Sequence, residues 1–293
     1  MTVLVPREGA VRTRGIPGSR EPGGPTDSQG AAGAVGASGG KVRRERPAVL
    51  SLDKALSILA CVAEAGQVSL TEISRRLELH PTIVSRMLET LAQHGYVQQL
   101  GQRGKFAIGI TPLVLANAAV AELPLRKQAL PILQWLADSY RVATNLAILH
   151  NGRALYLAHV SREPALRLHT FAGKLAPLHC TAMGKALLVD RSEGEVRELM
   201  AWRGMESHTA HTLTSIETLL ADLARARTRG YTMEREELQL GEMCLAAPLR
   251  LPALGAPTAI SISVPLHDVA GDREVVLGRA LLDAVYEITH SAA

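Results

Sequence analysis

Residues 70–97 read LTEISRRLELHPTIVSRMLETLAQHGYV, and this stretch contains two short helical patterns separated by a turn. Ser69 precedes the first pattern and Glu72 follows three residues later, which predicts a capping box in which the two residues satisfy each other's free backbone N–H groups. Pro81 opens the second pattern, at a first helical position that needs no N–H donor. The apolar residues of this second pattern recur at helical spacing: Ile83, Val84, Met87, Leu88 and Leu91.

The segments on either side of this stretch extend the helical pair. Apolar residues at helical spacing predict an earlier helix that begins near Ser51 and ends at Gly66. After Gly95, the alternating segments 96–100 and 105–110 surround the tetrapeptide GQRG, which predicts a hairpin with a basic tip. Three helices followed by a β-hairpin is the order of a winged helix-turn-helix, in which the helix after the turn enters the major groove of DNA.

The polar face of the third helix supplies candidate DNA contacts. Arginine pairs bidentately with guanine, and hydroxyl groups reach bases or phosphates. Basic residues late in the second helix are placed to contact the DNA backbone, and those on the hairpin to contact phosphates or a minor groove. The predicted DNA-binding residues are Arg75, Arg76, Pro81, Thr82, Ser85, Arg86, Arg103 and Lys105. The alternative is a packed helical pair with a solvated polar face, since residues 48–123 hold six basic and six acidic residues.

The composition favours about two globular domains and a separate N-terminal tail. The chain has 293 residues and is 47% apolar, which is enough to bury hydrophobic cores. Residues 1–47 contain ten glycines and five prolines without a periodic apolar pattern, so this tail is predicted to be disordered. The tail holds eight of the 32 basic and four of the 28 acidic residues, so the remainder is balanced and bulk charge does not argue for nucleic acid.

Cysteine usage and hydropathy indicate where the protein acts. Cys61, Cys180 and Cys244 are scattered and odd in number, which argues against a disulfide framework and fits a reducing cytoplasm. No apolar run reaches the ~18 residues that a membrane span needs, and the N-terminus lacks the apolar core of a signal peptide. We therefore expect a cytoplasmic protein without a membrane partner.

The second half of the chain mixes helices and strands. Residues 112–123 form an alanine-rich helical pattern before Pro124, and Asn151-Gly152 joins two alternating segments as a strong hairpin signal. Helices are predicted at 125–140, 181–190, 193–202, 216–229 and 272–290, and strands at 143–150, 153–160, 166–170, 231–234, 244–249 and 258–265. Because the hairpins are antiparallel, this order favours an α+β domain over a doubly wound one.

Together these segments resemble the IclR family of bacterial transcriptional regulators. In the first half the resemblance lies in SLDKALSILACVAEAG, LTEISRRLELHPTIVSRMLETLAQHGYV and KFAIG. In the second half it lies in LHCTAMGKALL, HTLTSIETLLADLARARTRGY, EREELQLGEMCLAAPLR and AISISVP. The chain departs from the family at Glu78, where glycine is often found in the turn, and at Ile83, where threonine is common. A left-handed backbone at Glu78 would cost about 1 kcal/mol.

The resemblance implies a GAF-like domain that binds a small effector such as an organic or aromatic acid. The implied pocket residues are Leu168, Ala182, Met183, Gly184, Glu234, Glu242, Cys244, Ala246, Ser261 and Ser263. Independently, the small residues at 180–185 predict free N–H groups at a helix start, which suit a carboxylate. The two serines alternate with isoleucines, so both hydroxyls are predicted on one face of a strand.

Several of these residues have plainer interpretations. Cys244 by residue type alone is a small buried hydrophobe, and Glu234 and Glu242 are typical surface carboxylates. Lys185 suits either a helix-surface charge or an anion ligand. A carboxylate at Glu242 would also repel an anionic effector unless a cation neutralised it.

Two other classes of protein stay open at the level of sequence. One is a DNA-binding protein whose second domain only forms oligomers. The other is an enzyme that uses Cys180 or Cys244, although the chain has no GxSxG, HExxH or P-loop motif. His208 and His211, with His179 or a cysteine, could hold a metal, but the prediction is for no metal and no cofactor.

The sequence therefore predicts a ligand-responsive regulator with four segments. These are a disordered tail at 1–47, a winged helix-turn-helix domain at 48–111, a linker helix at 112–124 and a GAF-like effector-binding domain at 125–293. Its expected partners are a double-stranded DNA operator, a small-molecule effector and copies of itself in a homodimer or homotetramer.

Overall fold

The computed structural model describes residues 49–101, 104–121, 123–161, 170–250 and 256–291. The N-terminal tail and the predicted site residues Arg103 and Leu168 lie outside the described residues. Most of the strand predicted at 166–170 also lies outside them.

The first part of the described chain has the predicted order of three helices and a hairpin. Helices α1 (Leu50–Ala65), α2 (Leu70–Leu77) and α3 (Pro81–Gln93) precede strands β1 (Val97–Gln99) and β2 (Phe106–Ile108), which pair antiparallel. An isolated bridge between Val68 and Phe106 ties the loop before α2 to the hairpin. The buried core of this part consists of Ile58, Cys61, Val62, Val68, Ile73, Val84, Leu88, Val97 and Phe106.

The caps of α2 and α3 follow the sequence with one difference. Ser69 Oγ accepts from the backbone N–H of Glu72 at 3.2 Å, as predicted. In place of the predicted bond from the Ser69 backbone N–H, the Glu72 carboxylate accepts a hydrogen bond from Arg76, one turn later. Pro81 begins α3 as predicted, after His80 as the N-cap. A complete capping box instead joins Ser192 and Glu195 at the start of another helix.

Glu78 ends α2 in the left-handed backbone conformation, with φ of 53° and ψ of 37°. Its backbone N–H donates to the carbonyl of Ser74, which closes the helix. Side chains with a Cβ are strained in this region and glycine is not. The turn between α2 and α3 therefore carries the backbone cost that the departure from the family pattern implies.

We expect Glu78→Gly to stabilise the α2–α3 pair by about 1 kcal/mol, because glycine removes the left-handed strain at a helix end. Amide hydrogen exchange across α2 and α3 should slow by roughly fivefold, which corresponds to that free energy. Glu78→Ala, which keeps the Cβ, is the matched control and should leave exchange nearly unchanged. Equal protection in the glycine variant and the wild type would contradict the strain.

The second part of the described chain begins with two long helices and contains a six-stranded sheet. Helices α4 (Thr111–Ala121) and α5 (Pro124–Tyr140) lead into strands β3 (Ala143–His150), β4 (Arg153–Val160) and the two-residue β5 (Leu175–Ala176), which the sequence did not predict. The remaining elements are α6 (Ala182–Leu188), α7 (Glu193–Arg203), α8 (Ile216–Arg229), β6 (Thr232–Arg235), β7 (Glu242–Leu249), β8 (Thr258–Pro265), a 3₁₀ turn (Leu266–Asp268) and α9 (Arg273–Ser291).

The sheet has the strand order β5-β4-β3-β8-β7-β6, and all its neighbours are antiparallel. Asn151 and Gly152 form the tight β3–β4 turn with φ of 47° and 67°, as their sequence predicts. Helices α5 and α9 cover one face of the sheet around a large apolar core. Helices α6, α7 and α8 supply a second core on the other face. This arrangement confirms the predicted α+β fold.

Every helix in the described part of the chain is too short or too polar to cross a membrane.

Candidate functional site

The predicted DNA-binding residues form an exposed polar surface on the first part of the chain. Val84 and Leu88 are buried on the inner side of α3, so the neighbouring positions at the start of this helix face outward. Seven of the eight predicted residues are described, and all seven are exposed: Arg75, Arg76, Pro81, Thr82, Ser85, Arg86 and Lys105. An arginine one turn into an exposed helix start has the chemistry for reading guanine in a major groove.

Neighbouring contacts limit how freely some of these side chains can reach a ligand. Arg76 pairs with Glu72 one turn earlier, on an exposed surface where such a pair contributes little. Lys105 lies next to the tip of the hairpin, where its backbone carbonyl accepts from the backbone N–H of Leu100 at 2.8 Å and its side chain stays exposed. Ile83, at the position where the family commonly has threonine, is half-buried and offers no hydroxyl, while Thr82 beside it is exposed.

A second candidate site is a small cavity between α6 and strands of the sheet. The described residues enclose about 40 Å³, which is room for a few water molecules. Seven of the predicted pocket residues line it: Ala182, Met183, Glu234, Glu242, Cys244, Ser261 and Ser263. Sequence reasoning missed the other lining residues, which are Tyr156, Thr170, Lys174, Ala176, Thr181, Leu238 and Gln239.

The sheet register places the polar groups of the cavity in rows. Glu234 pairs with Cys244, and Cys244 pairs with Ser263, so one row crosses β6, β7 and β8. The Cys244 Sγ and Ser263 Oγ atoms lie 3.1 Å apart. Ser261, in the next row on the same face, accepts from Asn145 Nδ2 at 3.0 Å. The predicted common face of the two serines is therefore part of an ordered polar network.

Burial sets the electrostatics of this cavity. It raises the pKa of Glu234 to about 7, against the opposing effect of a hydrogen bond from the backbone N–H of Glu237. Burial also raises the pKa of the Cys244 thiol, and the charges of Glu234 and Glu242 raise it further. At the rim, burial lowers the pKa of Lys174, while Glu242 opposes that shift. The Glu242 carboxylate thus favours the charged form of Lys174, and burial disfavours it.

Two of the predicted pocket residues that the structure describes do not line the cavity. Ala246 is fully buried on β7, where it pairs with Ser261. The N–H of Gly184 donates to Thr181 Oγ1 at 2.9 Å, so it is not available as the predicted seat for a carboxylate. A Cβ at Gly184 would lie 2.4 Å from the Cα of Leu178, and this close approach explains why glycine stands there.

Lys185 is neither the surface charge nor the anion ligand that its sequence position suggested. Its side chain is fully buried, and Nζ donates to Asp222 Oδ2 at 2.8 Å, to the Met233 carbonyl at 2.8 Å and to Glu237 Oε1 at 2.7 Å. These three bonds use all the ammonium protons. They tie α6 to α8 and to the segment that leaves β6, and both α6 and that segment line the cavity.

One group of potential metal ligands stands out within the described residues. Ligand atoms of His179, Cys180 and His208 all lie within 4.8 Å of one another. His211, which the sequence also suggested as a metal ligand, lies outside this group and contacts Glu236. Burial raises the pKa of the Cys180 thiol to about 12, and Glu237 and Glu234 add to this, so Cys180 is not an activated nucleophile.

Known proteins similar to this chain cover both of its parts. Residues 51–101 match the model of the IclR helix-turn-helix domain, and residues 117–290 match that of the bacterial transcriptional regulator IclR C-terminal domain. The transcriptional repressor IclR of Escherichia coli K12 is 33% identical over 244 residues, which cover 82% of this chain and 89% of that protein.

Solved structures show the same fold at lower identity. An IclR family transcriptional regulator from Brucella abortus has a TM-score of 0.73 and 24% identity, over 83% of this chain and 92% of that one. An IclR homolog from Microbacterium hydrocarbonoxydans, complexed with 4-hydroxybenzoate, has a TM-score of 0.66 and 22% identity, over 82% of this chain and 98% of that one.

Proposed function

This chain belongs to the IclR family of bacterial transcriptional regulators, and from that premise we propose that it represses a metabolic operon until a small effector occupies the cavity beside α6. It is a ligand-responsive DNA-binding regulator and not an enzyme. We further propose the domain boundaries given by the sequence: winged helix-turn-helix at 48–111, linker helix at 112–124 and effector-binding domain at 125–293. Repression is the function named for the Escherichia coli relative.

The exposed start of α3 carries the proposal for operator recognition. Thr82, Ser85 and Arg86 face away from the core on the helix that follows the turn. In a winged helix-turn-helix this helix meets base edges, while residues on the hairpin and at other helix ends contact phosphates. Arg86 is therefore assigned to base recognition, and Arg75, Arg76, Arg103 and Lys105 to the DNA backbone.

We expect Arg86→Ala to cost about 1–3 kcal/mol in operator binding and to remove discrimination at one base pair of each half-site. The reason is the loss of a bidentate pair to guanine. Lys105→Ala is the contrasting variant, because a lost phosphate contact weakens binding to all sequences alike and lowers the salt slope by about one. Fluorescence anisotropy with operator and scrambled duplexes, at several salt concentrations, measures both effects.

These two variants also define the result that would reject the assignment. If Arg86→Ala kept both the affinity and the sequence preference of the wild type, the start of α3 would not be the reading surface. Glu89→Ala serves as a folding control on the same exposed helix, since a lost carboxylate should not weaken binding to a polyanion.

We propose that the operator is bound by a homodimer, with tetramers as a further assembly. Helices α1 and α4 each carry exposed apolar side chains: Leu50, Leu52, Leu56, Leu113, Val114 and Leu115. An exposed apolar surface of this kind is typical of protein–protein contacts. Two-fold symmetry would then match a palindromic operator with two half-sites. Analytical ultracentrifugation of the full chain tests the stoichiometry.

The effector proposal rests on the polar cavity and its small volume. Specific sites for drug-sized ligands enclose about 300–1,000 Å³, so the 40 Å³ seen here must enlarge before an aromatic or sugar acid can enter. This requirement links effector binding to a change of conformation, which a regulator needs for switching. The 4-hydroxybenzoate bound to the Microbacterium relative makes aromatic acids a first class to test.

A thermal-shift screen of small aromatic, sugar and keto acids tests the effector proposal. A ligand that binds only the folded protein raises its melting temperature with concentration, and Ser263→Ala should reduce that rise. The same ligand should release the protein from operator DNA. Ligands that stabilise the Ser263→Ala variant as strongly as the wild type would place the effector site elsewhere.

A further inference from the structure

His179, Cys180 and His208 form a group outside the effector cavity, at the start of the segment that leads into α6. One ligand atom from each residue lies within 4.8 Å of the others, and the two imidazole rings stack with centroids 6.1 Å apart. His179 and Cys180 are buried, while His208 is exposed. The group therefore combines a fixed inner pair with a third ligand that faces solvent, which gives an ion a path of entry.

The hydrogen bonds of His179 prepare it as a metal ligand. Its Nε2 lies 2.9 Å from the carbonyl oxygen of Glu206, so Nε2 carries the proton and donates it there. The ring is thus held in the tautomer whose Nδ1 keeps a free lone pair. Metal-binding histidines usually donate their second N–H to a backbone carbonyl or carboxylate in this way.

The loop that carries His208 is also fixed in place. The backbone N–H of His208 donates to Thr212 Oγ1 at 3.0 Å. Thr209 Oγ1 and Thr212 Oγ1 donate to the carbonyls of Glu236 and Glu237, both at 2.6 Å. These bonds attach the loop to the segment after β6, so the exposed ring of His208 projects from an ordered backbone.

Buried acidic side chains lie close to this group. The carboxylates of Glu234 and Glu237 act on the Cys180 thiol, with Lys185 as the opposing cation. Lys185 is itself shared between Glu237 and Asp222, and Glu237 Oε2 is buried without a hydrogen-bond partner among the described residues.

From this geometry we propose that His179, Cys180 and His208 bind a zinc ion, with Cys180 as the thiolate ligand. Zinc takes nitrogen and sulfur ligands in a tetrahedral arrangement, and a coordinating thiol gives up its proton to solvent. Three protein ligands leave one position for water or another oxygen ligand. The ion would fasten the loop of His208 to the start of α6, beside the wall of the effector cavity.

The test uses the full-length protein after removal of metals with a chelator. Titration with Zn²⁺ against a chromophoric competitor should give one tight site in each chain. His208→Ala should weaken that site by at least about tenfold, since even the loss of an outer-shell partner has an effect of that size. His211→Ala is the matched control, because this exposed histidine lies three residues away and outside the group.

Cobalt provides a readout of the ligands themselves. Co²⁺ in the wild type should show the visible bands of a tetrahedral site and a thiolate-to-metal charge-transfer band. Cys180→Ser should remove the charge-transfer band, while His211→Ala should keep it. Absence of a one-to-one site, a wild-type affinity in His208→Ala, or a charge-transfer band that persists in Cys180→Ser would each overturn the proposal.

Discussion

Lys185→Met is expected to destabilise the effector-binding region by about 3–5 kcal/mol, the usual cost of removing one partner from a buried ion pair. The ammonium group is fully buried and holds Asp222 Oδ2, Glu237 Oε1 and the Met233 carbonyl within 2.8 Å. Methionine fills a similar volume but leaves two carboxylates and a carbonyl without their donor. Urea unfolding followed by tryptophan fluorescence measures the loss, since Trp135 and Trp202 both lie in the second part of the chain.

A double variant shows whether the loss of stability in Lys185→Met comes from the missing charge or from the changed shape of the side chain. Burial already raises the pKa of Glu237, although Lys185 opposes that shift. Lys185→Met combined with Glu237→Gln should therefore recover part of the stability, because the remaining buried charge is reduced. Arg197→Ala breaks an exposed pair with Glu217, which solvent screens, so it should leave the free energy of unfolding nearly unchanged. If Lys185→Met cost as little as Arg197→Ala, the buried ion pairs would not stabilise this region.

Lys185 also shows why the sequence could not predict the whole site. Its two carboxylate partners lie 37 and 52 residues further along the chain. No local pattern connects positions at such separations, so the lysine looked like a surface charge or an anion ligand. The same holds for Tyr156 and Lys174, which reach the cavity from the other end of the sheet. The sequence did suggest His208 and His179 as possible metal ligands, but it could not show that the fold brings them together with Cys180.

Turns and strand faces that depend only on residues adjacent in the sequence could be predicted from it. Asn151-Gly152 needs positive φ at both positions, and the structure has the β3–β4 turn there with the predicted strand bounds. Alternation along β8 placed Ser261 and Ser263 on one face, and both line the cavity. The strand β5 was not predicted, because two residues are too few to show the alternation of apolar and polar side chains that indicates a strand. Of the capping box predicted at Ser69, the bond to the serine hydroxyl forms, but the Glu72 carboxylate pairs with Arg76 instead of the Ser69 backbone.

Glu234→Gln is expected to raise the stability of the second part of the chain at pH 8 and to leave it nearly unchanged near pH 4.5. Burial raises the folded-state pKa of Glu234 above its ordinary value of 4.5 to about 7. Stability from the protonated side chain is therefore complete below about pH 4.5 and is lost as pH rises to about 7. At 1.36 kcal/mol for each pH unit, that interval corresponds to roughly 3 kcal/mol as an upper estimate.

The glutamine variant isolates this cost because its side-chain oxygen can still accept from the backbone N–H of Glu237, now 2.9 Å from Glu234 Oε2. Urea unfolding at a series of pH values should give a flatter profile for Glu234→Gln than for the wild type between pH 4.5 and 7. Glu195→Gln is the control of opposite sign, since hydrogen bonds from Ser192 lower the pKa of Glu195, so stability should fall at pH 8. Parallel profiles for Glu234→Gln and the wild type would mean that Glu234 is ionised in the folded protein across this range, and that the cavity holds a full negative charge beside Cys244.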